Sequence, residues 1–263
     1  MKRQLLELEH IDGMLVVACE QGTPEWRLAR LGRLTASRIG EATARIKSGW
    51  GASRANLMGE LIAERLTGMP ADGYVSAAMK WGTETEPLAR AAYVFYSDHD
   101  VVEIGHVLHP TIAEAGASPD GLVGEHGLLE IKCPNTATHI ETLLGAPIDL
   151  GYHKQVQFQL ACTGRAWCDF VSFDPRLPTE MQIWAQRILR DDKMIWQLEQ
   201  DAIAFLKELT AKQTALTDKY APRFAPPPMT PNARGDADDQ AAGSANPDKP
   251  ADAGVPDVMG VNK

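Results

Sequence analysis

Midway along the chain, two short apolar runs, Leu122-Val123 and Leu128-Leu129, flank Gly124-Glu125-His126-Gly127. Apolar pairs separated by such turn-forming residues predict a β-hairpin. The second run continues through Glu130-Ile131-Lys132-Cys133, charged and apolar by turns. Successive side chains of a strand point to opposite faces. Leu129, Ile131 and Cys133 are therefore expected to anchor the strand in a core, with Glu130 and Lys132 together on the other face.

The same patterning sets out the rest of the chain. Met14 to Ala18, Val101 to Leu108, Ala113 to Ser118, Trp167 to Phe173 and Met181 to Leu189 predict strands. Pro24 to Leu31 predicts a helix, capped by Thr23 and with Pro24 near its start. Further helices are expected over Ser37 to Ile46, Asn56 to Leu66, Thr83 to Tyr96, Thr136 to Leu144, Tyr152 to Cys162 and Asp191 to Leu216. In the Asn56 helix, Leu57, Leu61, Ile62 and Leu66 recur at helical spacing and Gly68 marks the stop. Strands and helices mixed in this way predict an α/β (α+β) fold, a central mixed β-sheet flanked by helices. After Tyr220 the composition turns to Ala, Asp, Pro and Gly, opening with Pro226-Pro227-Pro228. Such a stretch cannot bury enough apolar area to offset its ordering entropy. One folded domain over residues 1–220 and a disordered tail from about residue 221 are expected.

The hairpin carries candidate chemistry. It folds Asp120 back beside Glu130, so that two carboxylates and the Lys132 ammonium converge. Neighbouring carboxylates repel one another unless a cation neutralises them. Mg²⁺ prefers oxygen ligands and keeps several waters, one of which can attack a phosphodiester. Lys132 would orient that water or stabilise charge on phosphorus. Pro119-Asp120 followed by Glu130-Ile131-Lys132 is the PD-(D/E)xK pattern of metal-dependent nucleases. An exposed strand with a surface salt bridge carries the same residue types, so the short pattern alone leaves both readings open.

Net charge is −9, unusual for a protein that grips DNA. Its distribution changes the picture. Between Glu25 and Arg54 the cations Arg27, Arg30, Arg33, Arg38, Arg45, Lys47 and Arg54 face only Glu25 and Glu41, and phosphate contact depends on the local field. A solvated helix face would look the same. The four cysteines, Cys19, Cys133, Cys162 and Cys168, are scattered and read as reduced thiols of a cytoplasmic protein, without the close grouping of an iron–sulfur site. No apolar run reaches the length of a membrane span, and Met1 to Glu7 lacks a signal-peptide pattern.

Four blocks, in order, resemble the YqaJ-type viral recombinase family, its lambda-exonuclease-like branch of the PD-(D/E)xK nucleases. They are Glu20-Gln21-Gly22-Thr23-Pro24-Glu25-Trp26 through Ser37, Trp81-Gly82-Thr83-Glu84-Thr85-Glu86 with Ala89-Arg90, Ser118 to Pro134, and Gln155-Val156-Gln157 followed by Asp174-Pro175-Arg176. The resemblance implies a restriction-endonuclease-like core. It implies metal ligation by Asp120, Glu130 and the backbone carbonyl of Ile131, with Mg²⁺ as the ion and Mn²⁺ as a substitute. It puts an active-site glutamate at Glu86, although Glu86 and Arg90 also stand at the spacing of a plain helix ion pair. It makes Lys132 the residue that activates water and puts Gln157, the second glutamine of its block, at the scissile phosphate. Arg30, Ser37 and Ser118 match a pocket for a 5′-phosphate, and Ser37 could equally be a helix cap. One departure stands out: the family's acid ten residues before the motif aspartate is Pro110 here, so His109 substitutes for it or the acid is dispensable.

The expected function is Mg²⁺-dependent 5′-to-3′ digestion of one strand of duplex DNA from its ends, releasing mononucleotides and leaving 3′ overhangs for recombination. The resemblance also implies a homotrimeric ring and a single-strand annealing protein as partner, in a bacterial or phage-infected cell. An endonuclease of the same fold, in defence or repair, and a non-catalytic DNA-binding module are the alternatives.

Overall fold

The computed structural model describes residues 6–47, 49–70 and 76–220; the expected tail lies outside them. The chain starts with an antiparallel pair, β1 (Leu8–Ile11) and β2 (Met14–Val17). It enters α1 (Pro24–Arg30) through the expected cap, with the Trp26 N–H donating to Thr23 Oγ1 at 3.3 Å. After β3 (Leu34–Thr35), the helix expected over Ser37 to Ile46 breaks up. A 3-10 turn at Ala36–Arg38 leads into one turn of helix, α2 (Ile39–Ala42), and then a small hairpin of β4 (Arg45–Ile46) and β5 (Gly49–Trp50). The Thr43 hydroxyl donates back to the Ile39 carbonyl at 2.8 Å and closes the turn, and Gly49, at φ +135°, reverses the chain.

Next come α3 (Ala52–Thr67), which ends at left-handed Gly68 as expected, and α4 (Ala77–Ser97). The latter starts ahead of Thr83 because Ser76 caps it, accepting from the Met79 N–H at 3.1 Å. The strand expected over Val101 to Leu108 is two strands in different sheets, β6 (Val101–Val102) and β7 (His106–Leu108). Gly105 sits at the break. A Cβ there would lie 2.4 Å from the Val17 carbonyl oxygen and 2.6 Å from that of Cys19, so only glycine lets the chain pass. There follow β8 (Ala115–Ala117), β9 (Gly121–Val123), β10 (Gly127–Lys132), α5 (Thr136–Leu143), α6 (Leu150–Thr163), β11 (Trp167–Phe173), β12 (Ile183–Leu189) and α7 (Asp192–Tyr220). A 3-10 turn at Thr179–Met181 delays the last strand to Ile183.

The expected mixed sheet is present as two five-stranded sheets, ordered β1-β2-β7-β8-β3 and β12-β11-β10-β9-β6. Each has one parallel pairing, β3 with β8 and β10 with β11. The hairpin of β9 and β10 forms in the expected place. Leu129 and Ile131 of β10 pack with Ala89 and Tyr93 of α4 in a small apolar cluster. Leu128 joins the main core on the opposite face, with Val156, Phe158 and Leu160 of α6. Burying each such side chain contributes roughly 1.5–3 kcal/mol. Glu130 follows the parity of Leu128, so its carboxylate is driven under α6 rather than into solvent, and it is 2% exposed.

Candidate active site

The start of the hairpin fixes the first carboxylate. Asp120 N–H donates to the Leu129 carbonyl at 3.1 Å, and the Ile131 N–H donates to Asp120 Oδ2 at 2.6 Å. These two bonds lock Asp120 beside the strand that carries Glu130. Lys132 Nζ lies 2.5 Å from Glu130 Oε1. Burial, and then the charges of Glu130 and Glu86, push the Asp120 carboxyl well above the usual range. Burial also raises Glu86, with Glu130 and Glu103 adding to it against Arg90. The Lys132 ammonium is raised as well: burial works against its charge, and Glu130 and Asp120 more than offset it. This is an anionic pocket that one lysine only partly neutralises.

Glu86 lines the cleft and is also ion-paired within its helix. Arg90 Nη2 donates to Glu86 Oε1 at 2.6 Å, the ion pair expected within α4. Arg90 Nε also donates to the Asp120 carbonyl at 3.3 Å, which ties α4 to the hairpin and turns Glu86 into the same cleft. That cleft has a volume of about 220 Å³ and takes in Asp120, Glu130, Ile131, Lys132 and Glu86. A larger groove of about 520 Å³, between the Thr111 to Glu114 turn and α7, is mostly apolar and holds no carboxylate pair.

Gln157 is not in the cleft. Its amide Nε2 donates to the Leu189 carbonyl at 2.8 Å, and its Oε1 accepts from the Asp191 N–H at 2.8 Å. It ties α6 to the join between β12 and α7. The glutamines that reach the site are Gln155 and Gln159, whose Nε2 atoms donate to Glu130 Oε1 and Oε2, each at 2.6 Å. Helical spacing carried the signal: residues four apart share a face, and Gln157 lies about 200° round the axis from Gln155.

The far end of the same cleft carries a guanidinium and several hydroxyls. Arg30, Ser37 and Ser118 all line it, with Trp26 and Thr35. The Arg30 guanidinium stacks on the Trp26 ring at 3.9 Å and donates to Ser37 Oγ at 3.4 Å. Burial and the nearby Arg38 bring its pKa down to about 10, with Glu64 only partly opposing them. Ser118 Oγ accepts from Trp26 Nε1 at 2.9 Å and lies 3.1 Å from His106 Nδ1. Trp26 and His106 were not legible as site residues. Ser37 makes no capping hydrogen bond, and the 3-10 turn that holds it is capped by no side chain.

Other expectations change. His109 Nδ1 accepts from the N–H groups of Thr111 and Ile112, and its Nε2 lies 3.2 Å from Glu199. It braces a turn and does not line the cleft, so it does not replace the missing acid. Three cations of the basic stretch are tied up in ion pairs. Arg38 pairs with Glu41 and Glu60, Arg45 with Asp201, and Arg54 with Glu208, acids drawn mostly from distant elements. Arg176 pairs with Asp174 at 2.7 Å and stacks on Trp81 at 4.2 Å, so two of the sequence blocks meet in space.

The donor set suits a hard divalent cation. Asp120 and Glu130 supply carboxylate oxygen and Ile131 can supply a carbonyl, all in one cleft. Among the described residues no group of three His, Cys, Asp or Glu side chains is placed to hold a metal ion. All four cysteines are free thiols. Among the described residues no helix is long and apolar enough to cross a membrane.

A family model described as "YqaJ-like viral recombinase domain" matches residues 25–166. The crystal structure of an alkaline exonuclease (LHK-Exo) from Laribacter hongkongensis is 52% identical, with 76% of this chain and all of that chain covered and a TM-score of 0.72. The same protein in complex with dAMP matches equally well. A phage-related exonuclease from Haemophilus somnus 129PT shares the fold at 15% identity, with a TM-score of 0.56 over 71% of this chain and 96% of that one. A comparison with curated protein sequences found no match. With the restriction-endonuclease-like arrangement of strands and helices and the Asp120–Glu130–Lys132 cleft, these matches settle the family: the chain belongs to the YqaJ-like viral recombinase domain family.

Proposed function

We propose that the chain is a Mg²⁺-dependent exonuclease that digests one strand of duplex DNA from its 5′ end. A single observation carries this reading: the carboxylate–lysine cluster and the Arg30–Ser37–Ser118 group share one cleft of about 220 Å³. An anion site that close to the reacting centre suits a substrate held by its terminal phosphate. The alkaline exonuclease relative supports the activity, and its complex with dAMP supports a mononucleotide product.

Asp120, Glu130 and the Ile131 carbonyl would hold the ion. Bound there, Mg²⁺ would supply Lewis acidity toward the phosphodiester and its attacking water. Lys132 orients the attacking water, its Nζ already positioned by Glu130. Gln155 and Gln159 hold the Glu130 carboxylate in place from α6. Glu86, steadied by Arg90, contributes through water. Arg30 grips the terminal phosphate, with the hydroxyls of Ser37 and Ser118 beside it. Mn²⁺ substitutes for Mg²⁺, since both accept oxygen ligands. A homotrimeric ring, a single-strand annealing partner and a cytoplasmic setting belong to the same reading.

Lys132→Ala tests the assignment. It is expected to abolish release of nucleotides from linear duplex DNA while DNA binding, measured by anisotropy, persists. Turnover like that of the unaltered protein would remove Lys132 from the mechanism.

A further inference from the structure

We propose that His106 acts as a positioning residue: its Nδ1–H tautomer fixes Ser118 as a hydrogen-bond donor to the terminal phosphate. The inference rests on the phosphate-pocket reading above.

An indole N–H can only donate, so Ser118 Oγ accepts from Trp26 Nε1 at 2.9 Å. The same oxygen lies 3.1 Å from His106 Nδ1. The other ring nitrogen, Nε2, is buried and has no hydrogen-bond partner among the described residues. The ring is fully buried, and burial together with Arg30 and Arg33 pushes its pKa down to about 3. It is therefore neutral and carries one N–H, at one nitrogen or the other. A proton on Nε2 would strand a buried N–H and make Ser118 give its only hydrogen to the ring. A proton on Nδ1 is used at once on Ser118 Oγ and leaves only a lone pair without a partner. Stranded buried N–H groups are the rarer of these defects in folded proteins.

With Trp26 and His106 both donating, the two lone pairs of Ser118 are filled. Its own O–H is then the remaining capacity, and it can serve an acceptor in the cleft that Arg30 also lines. A Ser118 that can only donate suits an ionised phosphate, with its several charged acceptor oxygens, better than a hydroxyl with a single neutral one. The ring is seated for this role by Gly116 of β8, where a Cβ would come within 2.4 Å of Nε2 and 2.8 Å of Cε1.

The tautomer can be read on the unaltered protein by NMR of ¹⁵N-histidine-labelled chain, with the His106 signal assigned from its loss in His106→Asn. A protonated Nδ1 and bare Nε2 is expected; the reverse would overturn the proposal. In parallel, digestion of linear duplexes ending in 5′-phosphate or 5′-hydroxyl is compared across variants. His106→Leu is expected to reduce the preference for phosphate by about tenfold or more, the scale of one lost bond to a charged group. His106→Asn is expected to restore most of it, since its amide N–H stands in for Nδ1–H. Equal losses on both ends in His106→Leu would mark a merely structural role and overturn the proposal. An unaltered protein without any phosphate preference would instead remove the pocket reading, and the proposal with it; the tautomer result keeps the two failures apart.

Discussion

At the residue scale, Glu130 shows how a buried carboxylate is held ready. Three nitrogens, from Lys132, Gln155 and Gln159, occupy its two oxygens. Gln157, between the two glutamines in sequence, does unrelated work at the Leu189–Asp191 join. Gln157→Ala is thus expected to cost about 1–3 kcal/mol of stability in urea denaturation, since it strands a carbonyl and an N–H, with little change in turnover of the folded enzyme. Gln155→Ala is expected to do the reverse, lowering turnover about tenfold while stability stays within about 1 kcal/mol. A Gln157→Ala enzyme that was stable and inactive would contradict this division. His106 gives a pH dependence whose sign can be worked out. Its folded pKa is about 3 against 6.5 for a free histidine, so the unfolded chain takes up the proton first. Its stabilising contribution is full above pH 6.5 and falls as the pH drops toward about 3, by at most about 1.4 kcal/mol per pH unit. Denaturation curves of His106→Asn should show a flatter decline across that window than those of the unaltered chain.

At the element scale, period-two and helical patterns located the parts that matter to the site. Leu129 and Ile131 faced a core and Glu130 and Lys132 shared the other face, as alternation requires. Alternation could not say that this second face is also covered, because α6 is brought there by tertiary packing. The run Val101 to Leu108 reads as one strand by residue type; the close passage of Gly105 against the Val17 and Cys19 carbonyls divides it. The Ser37 to Ile46 segment has helix-forming residues, and the Thr43 hydroxyl and Gly49 override them. Arg30, Ser37 and Ser118 come from three separate segments, so their convergence is a property of the fold that spacing could not supply. Gly105→Ala is expected to destabilise the protein by about 1–3 kcal/mol or more, because the added methyl meets backbone that cannot turn aside. A thermal midpoint within a degree of the unaltered chain would show that the two sheets are not tied through that passage.

At the scale of the whole molecule, a chain of net charge −9 must still hold a polyanion. Arg38, Arg45 and Arg54 are spent on internal ion pairs, while Arg30 is left half-compensated at the end of the active cleft. On the proposed reading, recognition depends on a terminal phosphate that reaches into the cleft, and less on the long-range field that dominates nonspecific DNA binding. The most direct test of this account is digestion of a linear duplex carrying 5′-phosphate or 5′-hydroxyl ends, beside a covalently closed circle, with Mg²⁺ or with EDTA. Mg²⁺-dependent release of mononucleotides, faster from the phosphorylated ends, and an intact circle are expected. A cut circle, or equal digestion in EDTA, would contradict it.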